Sequence, residues 1–252
     1  MRKELRKIKV LYRRFLISLR LNKSPLTDIR EYRSILIVSP HPDDEIIGIG
    51  GYLMKTIEDG GRICIVYLTD GEKSLENVLP SVVASQRLAL TQSVLSRLGL
   101  TESQARWMHL PDGSIPRSGK DGFDSVVDKM QAILRETLPD AVFVTHPSDT
   151  WPYDHVAAFE IVESALLKSG ISSALYGYWV WLWYSIPLDR IAGMNWKEIF
   201  RIPINDVISG KRELMDMYLK PASEDGRPWS GVLPAAMLKP FELPYEVVQR
   251  FR

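Results

Sequence analysis

The 252-residue sequence contains one cysteine, Cys64, so no disulfide can form within the chain. Cys64 stands in the apolar run 63–68, where we expect a buried thiol in a reducing compartment, and hence a cytoplasmic protein. No stretch reaches the ~18–20 apolar residues that a membrane-spanning helix needs. The N-terminus also lacks the apolar core and small-residue cleavage site of a signal peptide. With 45% hydrophobic and 25% charged residues, the composition is typical of a globular protein.

The formal net charge of +1 conceals a basic N-terminal segment. Residues 1–33 hold eleven Lys and Arg against three acids, and their apolar residues fall on one face of a helix. We separate this segment from a single domain over 34–252. Two interpretations stay open: the helix packs on its own domain or a partner, including a second copy, or it lies peripherally on the anionic inner face of a membrane. No nucleic-acid partner is expected, since basic residues do not cluster elsewhere.

Apolar runs alternate with helical patterns after residue 34. We predict strands over 35–38, 62–69, 107–110, 141–145 and 175–183. Helices are predicted over 45–59, 81–98, 123–137 and 153–168. Helices of about a dozen residues between strands favour βαβ units. The predicted fold class is therefore α/β, a Rossmann-like and mostly parallel sheet with helices on both faces in one domain. Beyond residue 186 prolines interrupt the pattern, and we expect this region to wrap the core or cover the site mouth.

An Asp or a His follows each of four predicted strands. These residues are His41, Asp70, Asp112 and His146. Ends of parallel strands meet at one edge of a sheet, where open α/β sheets bind their ligands. Asp70 and Asp112 each precede a glycine, so turn formation explains them as well as function does. His109 lies within a strand pattern, where we expect a core histidine.

The segment His41-Pro42-Asp43-Asp44-Glu45 and the later pair Asp154-His155 have the composition of a catalytic metal centre. A catalytic zinc takes three protein ligands and leaves one position for water. His41, Asp44 and His155 can supply two nitrogens and one oxygen. Asp43, beside Asp44, can accept a proton from water whose pKa the metal has lowered from ~15.7 to about 7. Helix capping alone explains the acids, but neither His41 nor the Asp154-His155 pair.

These motifs resemble those of the LmbE-like, or PIG-L, family of zinc-dependent N-acetylglucosaminyl deacetylases. The resemblance rests on residues 40–45, on Thr69-Asp70-Gly71-Glu72, on Arg87 twelve residues before Gly99, on Leu110-Pro111-Asp112-Gly113 and on Tyr153-Asp154-His155. It covers roughly residues 34–170. It implies hydrolysis of an N-acetyl group on an amino sugar or its conjugate, giving acetate and a free amine. Fe²⁺ is an alternative to Zn²⁺.

The resemblance also implies residue roles. His41, Asp44 and His155 would hold zinc, Asp43 would be the general base, and Arg87 would contact substrate or support the site. We add His146 and Asp154 to the catalytic candidates. Asp70, Tyr153 and Trp151 are further substrate-binding candidates.

The chain departs from the family in its second motif. The family has a histidine there that stabilises the oxyanion, and this sequence has Trp151 or Pro152 at that position. Loss of such a donor costs on the order of 10²–10³ in rate. His146, Tyr153 and the zinc itself are candidates to replace it. Downstream, Lys220-Pro221 stands where the family commonly has Ser-Gln.

Two rival functions follow from the same residues. Glycines 48, 50 and 51 after a strand resemble a dinucleotide fingerprint, but acids occupy the strand-to-helix turn and Leu53 takes the third glycine position. The second rival is a non-catalytic zinc- or carbohydrate-binding protein on the same fold. Retention of Asp43 argues against it, because metal binding alone needs no base.

The segment 176–184 is rich in aromatic residues, with three tryptophans. As a strand it would place Tyr178 on one face and Trp179 and Trp181 on the other. Packing on both faces of the sheet, an aromatic wall for a sugar ring or an apolar aglycone, and a subunit contact all fit this pattern.

Overall fold

The computed structural model of the chain describes residues 2–27, 29 and 31–252, with side chains from residue 8 onward in that set. Met1, Asp28 and Arg30 of the basic segment lie outside it. The strands of the sheet are β1 (Ser34–Ser39), β2 (Arg62–Thr69), β3 (Ala105–Leu110), β4 (Ala141–Thr145), β5 (Ala174–Tyr178), β6 (Ile199–Pro203) and β7 (Tyr245–Arg250). The α-helices are α1 (Arg2–Leu21), α2 (Asp44–Glu58), α3 (Pro80–Arg97), α4 (Phe123–Thr137), α5 (Tyr153–Ser169), α6 (Leu182–Ser185), α7 (Leu188–Gly193), α8 (Ile208–Leu219) and α9 (Ala235–Leu238).

The strands form one sheet in the order β3-β2-β1-β4-β5-β7-β6. The first five in that order pair in parallel, and β7 pairs antiparallel with both β5 and β6. Buried apolar residues of β1 alternate between two cores. Ile35 and Ile37 join the core beneath α2 and α8, and Leu36 and Val38 join the core beneath α4 and α5. The predicted α/β fold with helices on both faces is confirmed.

The chain order reverses between β1 and β4. From β1 the chain adds β2 and β3 on one side, and it then returns to place β4 and β5 on the other. A sheet of this kind has a crevice outside the carboxyl ends of the two strands at the reversal. The fold therefore provides a site between the loops that follow β1 and β4.

The glycines of α2 serve packing. A Cβ at Gly48 would lie 2.3 Å from the ring of Tyr178, and one at Gly51 would lie 2.6 Å from Ile204. α2 kinks at Ile49, and the Glu246 carboxylate accepts the N–H groups of Gly51 and Tyr52 just beyond the kink, at 2.7 and 2.9 Å. Close approach of helix to sheet thus accounts for the residues that resembled a dinucleotide fingerprint.

One strand prediction was wrong, and two strands of the sheet were missed. The strand predicted over 175–183 ends at Tyr178, because its partner β4 ends at Thr145. Beyond it the N–H groups of Val180 and Trp181 donate to Asp149 instead of continuing a ladder. β6 and β7 were not predicted, although they extend the sheet by two antiparallel strands.

His109 is not a core residue. It has a left-handed backbone conformation (φ 50°), which turns its side chain outward at the end of β3. There its Nδ1 lies 2.9 Å from the Asp70 carboxylate, and the histidine side chain is exposed.

α1 packs on the domain through one face. Val10, Ile17 and Leu21 are buried, and α1 contacts α6, α7 and β6. The opposite face carries exposed apolar side chains at helical spacing: Ile8, Leu11, Tyr12, Phe15 and Leu19. We call these five residues the outer stripe of α1. Within the described residues, no helix has the length and apolar character required to cross a membrane.

Candidate metal centre and active site

The loop after β1 and the start of α5 place the predicted metal ligands side by side. β1 ends at Ser39, and the next residues turn into α2 with His41, Asp43 and Asp44 in the turn. β4 lies beside β1 and leads to α5, whose first turn holds His155. Residues 114 positions apart in the sequence thus meet at the carboxyl edge of two adjacent strands.

His41, Asp44 and His155 offer a compact set of ligand atoms. Asp44 Oδ2 lies 3.2 Å from His41 Nδ1 and 3.2 Å from His155 Nε2. One candidate atom from each residue lies within 4.8 Å of the others. Two tetrahedral zinc ligands at ~2.0–2.1 Å from the ion stand about 3.3 Å apart. The set therefore has the donor types and spacing that a zinc ion requires.

His155 gives independent support for a metal. Its side chain is fully buried, yet its Nε2 makes no hydrogen bond with any described residue, although it stands 3.2 Å from Asp44. Its other nitrogen, Nδ1, lies 3.2 Å from Asp149 Oδ2. Buried ring nitrogens are rarely left without a partner. A metal bound at Nε2, with Asp149 accepting the Nδ1–H, accounts for both nitrogens.

His41 has a similar outer contact. Its Nε2 lies 3.2 Å from Asp154 Oδ2 and 3.3 Å from Asp112 Oδ1. Asp154 is in turn fixed by the N–H groups of Gly113 at 2.6 Å and Ile115 at 3.2 Å. Asp154 and Asp112 therefore orient the imidazole whose Nδ1 faces Asp44.

Asp43 stands in a backbone conformation that non-glycine residues rarely adopt, with φ 128°. Its N–H donates to Glu45 Oε2 at 3.0 Å, and its Oδ2 accepts from Arg87 Nη2 at 3.1 Å. Such conformations cost ~1–3 kcal/mol and persist where the surroundings enforce them. Glu45 and Arg87 thus hold the carboxylate of Asp43 beside the predicted metal ligands.

Glu45 is itself fixed from three sides. Its Oε1 accepts the hydroxyls of Tyr67 at 3.1 Å and Tyr218 at 2.8 Å, and its Oε2 also accepts the Ser39 hydroxyl at 3.1 Å. Arg87 is buried against Gly71, where a Cβ would lie 2.5 Å from the arginine Nε. Gly71 has φ 65°, so both its conformation and the lack of space require glycine.

The electrostatics of these groups follow from burial and neighbouring charge. Burial raises the pKa of Asp43 to about 7; Arg87 opposes this rise, and the Asp44 and Glu45 carboxylates add to it. Burial by itself would lower the pKa of His155, but the Asp44 and Asp149 carboxylates raise it to about 9. These directions belong to the metal-free protein, since a bound cation favours the ionised carboxylates and the neutral imidazoles.

A cavity of about 250 Å³ opens over these residues, and we call it the catalytic cavity. It is lined by His41, Asp43, Asp44, Ile47, Lys73, Ser74, Arg87, Asp112, Trp151, Pro152, Val180, Trp181, Ser230, Leu233 and Met237. Of the sequence candidates for substrate binding, Arg87 and Trp151 line it. Ser230, Leu233 and Met237, from the chain beyond residue 186, are part of this lining.

Other candidates lie apart from the catalytic cavity. Asp70 pairs with the exposed His109 at the sheet edge. Tyr153 is 70% exposed and does not line the cavity. His146 is buried, with its Nε2 2.9 Å from Gln249 Oε1 and its ring beside Phe251. Burial lowers the pKa of His146 to about 4. The structure does not bring these three side chains to the reacting centre.

Sequence reasoning missed two residues that shape the centre. Asp149 joins His155 to the backbone of Trp181, whose N–H donates to Asp149 Oδ2 at 2.8 Å. Lys73 lines the catalytic cavity, and its backbone N–H donates to Asp112 Oδ2 at 2.8 Å. Asp149 lies between His146 and His155 in the sequence. An acidic residue at that place was the available signal that a carboxylate could orient one of these histidines.

The family model described as PIG-L: GlcNAc-PI de-N-acetylase matches residues 36–166, just over half of the chain. The chain belongs to this family. A 1D-myo-inositol 2-acetamido-2-deoxy-alpha-D-glucopyranoside deacetylase from Rhodococcus erythropolis is 24% identical over an alignment of length 155 that covers 53% of this chain and 53% of that protein. The chain therefore spans about half the length of the curated relatives it matches.

Solved structures share the fold over most of the chain. The N,N'-diacetylchitobiose deacetylase from Pyrococcus horikoshii is 19% identical with a TM-score of 0.64, over 92% of this chain and 88% of that one. The 4-carboxy-2-hydroxymuconate hydratase from Pseudomonas putida is 14% identical with a TM-score of 0.62, over 86% and 95%. Since a deacetylase and a hydratase share this fold, the fold alone does not determine the reaction.

Proposed function

We propose that this protein is a zinc-dependent hydrolase that removes the acetyl group from the nitrogen of an amino sugar or amino-sugar conjugate. The observation that carries the proposal is the buried Nε2 of His155, which makes no hydrogen bond with the described residues. It lies in one cluster with His41 and Asp44, next to the enforced carboxylate of Asp43. Membership of a family described as a de-N-acetylase and the sugar substrate named for the matching relatives support the choice of reaction.

His41, Asp44 and His155 would hold the metal. A zinc ion there lowers the pKa of water and polarises a carbonyl oxygen. Asp43 accepts a proton from the water that attacks the acetyl carbon. When the C–N bond breaks, Asp43 returns this proton to the departing nitrogen, so the products are acetate and a free amine. Arg87 and Glu45 act by holding Asp43 in place for both transfers.

Trp151 or Pro152 stands in this chain at the sequence position of the family histidine, and both line the catalytic cavity. Neither His146 nor Tyr153 lines it. Of the described side chains that line the cavity, Lys73 and Arg87 are the cations, and Arg87 donates to Asp43. We infer that a bound metal and the ammonium of Lys73 would replace that histidine.

Metal analysis with acetate release tests the proposal. Protein treated with a chelator should lose zinc and all acetate release from a panel of N-acetylated amino sugars and glycosides, and zinc should restore release. If Fe²⁺ restored acetate release at a higher rate than Zn²⁺ does, the proposed metal would be replaced by iron and the proposed reaction would stand. Stoichiometric zinc with no hydrolysis across the panel would instead support the non-catalytic binding protein.

We also propose that the outer stripe of α1 lies on an anionic membrane surface. Five large apolar side chains are exposed in one row, and Lys9 and Arg20 flank it. Exposed apolar rows with basic flanks suit the boundary between acidic headgroups and acyl chains.

Vesicle sedimentation tests this contact. Binding should require vesicles with acidic phospholipid, and Phe15→Glu should abolish it. Leu138→Glu is the matched control, since Leu138 is 59% exposed against 57% for Phe15. Self-association that Phe15→Glu disrupts, without vesicle binding, would show a homo-oligomer contact instead.

A further inference from the structure

A second cavity of about 430 Å³ adjoins the catalytic cavity. Trp151 and Trp181 line both. Their rings meet edge to face with centroids 4.5 Å apart. Residues just before α9 also separate the two cavities. Leu233 lines the catalytic cavity, and its neighbours Val232 and Pro234 line the second. The two cavities therefore adjoin at Trp151 and Trp181.

The second cavity has an apolar lining with positive charge at one side. Besides the two tryptophans, its apolar or aromatic lining residues are Val10, Tyr184, Val232 and Pro234. Its charged lining residues are Lys9 and Arg13 of α1, Ser185 adds a hydroxyl, and none of the described residues that line it is an Asp or a Glu. The Arg13 guanidinium donates to the carbonyls of Tyr184 and Ile186. A cation is therefore a poor occupant, and an apolar group is a good one.

Trp181, where the two cavities adjoin, is connected to the metal centre through Asp149. Asp149 Oδ2 accepts the Trp181 N–H at 2.8 Å and lies 3.2 Å from Nδ1 of the ligand His155. The second cavity thus has a fixed position relative to the reacting atoms. Except for Trp151, its lining residues lie outside the family match over residues 36–166, so this cavity is built from parts of the chain beyond the shared family core.

We propose that the second cavity is a binding site for an apolar, non-cationic aglycone of the amino-sugar substrate. This inference rests on the proposed function, because it places the N-acetyl sugar in the catalytic cavity and its aglycone past Trp151 and Trp181. An alkyl or aryl aglycone gains by burial.

Three glycosides of N-acetylglucosamine test the proposal on the zinc-loaded protein: the methyl, the octyl and the 8-aminooctyl compound. Below micellar concentration, the octyl glycoside should show kcat/KM about tenfold or more above the methyl glycoside, mainly through KM, given the burial of several methylenes. The 8-aminooctyl glycoside should lose most of this advantage. Equal KM for the methyl and octyl glycosides would overturn the proposal.

A pair of surface variants separates this cavity from general hydrophobic adsorption. Val232→Glu places a charge at the second cavity, and Leu167→Glu places one on α5 at a matched exposure of 71% against 72%. Val232→Glu should reduce the octyl-to-methyl ratio of kcat/KM toward one, and Leu167→Glu should preserve it. Equal ratios in the two variants would contradict the proposal.

Calorimetric titration measures glycoside binding even if the protein does not turn the glycosides over. If no glycoside releases acetate, the proposed reaction fails, yet the octyl glycoside should still bind at least tenfold more tightly than the methyl glycoside in the wild type. Val232→Glu should remove that difference. Absence of any preference for the octyl glycoside in both turnover and titration would show that the cavity binds no apolar aglycone.

Discussion

Asp149 Oδ2 lies 3.2 Å from His155 Nδ1, so this candidate metal ligand is oriented by a buried carboxylate six residues before it. The same carboxylate oxygen accepts the N–H groups of Val180 and Trp181, at 3.2 and 2.8 Å. One side chain thus sets the ring orientation of a ligand and ends the strand β5. The aromatic wall of the catalytic cavity begins at that point.

Asp149→Asn should weaken zinc binding by about 10–100-fold, because the amide cannot accept the His155 N–H as strongly as the carboxylate does. The measurement is a competition titration with a chromophoric chelator. Asp124→Asn is the control, since Asp124 forms an exposed pair with Lys168 far from the centre. An unchanged zinc affinity in Asp149→Asn would refute the orienting role.

The buried pair of Lys211 and Glu246 should be a large contributor to stability. Lys211 Nζ lies 2.6 Å from Glu246 Oε1, and both side chains are about 1% exposed. Lys211→Met leaves the carboxylate at the α2 kink without its counter-charge, and should reduce the free energy of unfolding by about 3–5 kcal/mol. Urea denaturation measures this change.

The surface pair of Arg97 and Glu213 supplies the comparison for Lys211→Met. Its side chains are 55% and 52% exposed, although its N–O distance of 2.8 Å is nearly as short. Arg97→Met should cost about 0–1 kcal/mol. Similar losses in the two variants would mean that burial does not set the difference.

His146 should make the protein less stable in mild acid. Burial lowers its folded-state pKa from 6.5 to about 4, so the unfolded chain binds a proton in this range and the folded protein does not. The stability from this group is complete above about pH 6.5 and is lost as the pH falls toward 4, with about 2 kcal/mol lost between pH 7 and 5. Urea denaturation of metal-depleted protein at the two pH values measures it.

His146→Asn is the variant that isolates this titration. Its amide oxygen can accept the N–H of Ser148, which donates to His146 Nδ1 at 2.9 Å in the wild type. Whatever its stability at pH 7, the variant should lose about 2 kcal/mol less than the wild type on acidification. An identical loss in both proteins would contradict the buried, neutral state of His146.

The sequence was sufficient to predict those parts of the molecule that local pattern determines. Parallel strands buried on both faces are short apolar runs, and glycine or proline marks their ends, so β1, β2 and β4 were predicted close to their observed bounds. The set of His41, Asp44 and His155 was predicted as ligands, and the structure brings the three together. Their roles in binding metal are what the proposed experiments test.

The features that the sequence patterns did not predict depend on contacts between distant parts of the chain. β6 and β7 carry mixed residues whose strand conformation depends on the edge of β5. The aromatic run after Tyr178 has high strand propensity, yet the end of β4 and the carboxylate of Asp149 turn it away from the sheet. Likewise, the inward or outward direction of His146 and His109 depends on Gln249 and on a left-handed residue, and neither is visible in a local window.

Asp43→Asn gives the most direct test of the central claim, because it separates metal binding from proton transfer. The variant should bind one zinc per chain, as the wild type does, since Asp43 is not among the ligand atoms. Its acetate release from an N-acetylglucosaminide should fall by about 10²–10⁴-fold, the usual contribution of a general base. Full zinc occupancy with wild-type acetate release in Asp43→Asn would contradict the account.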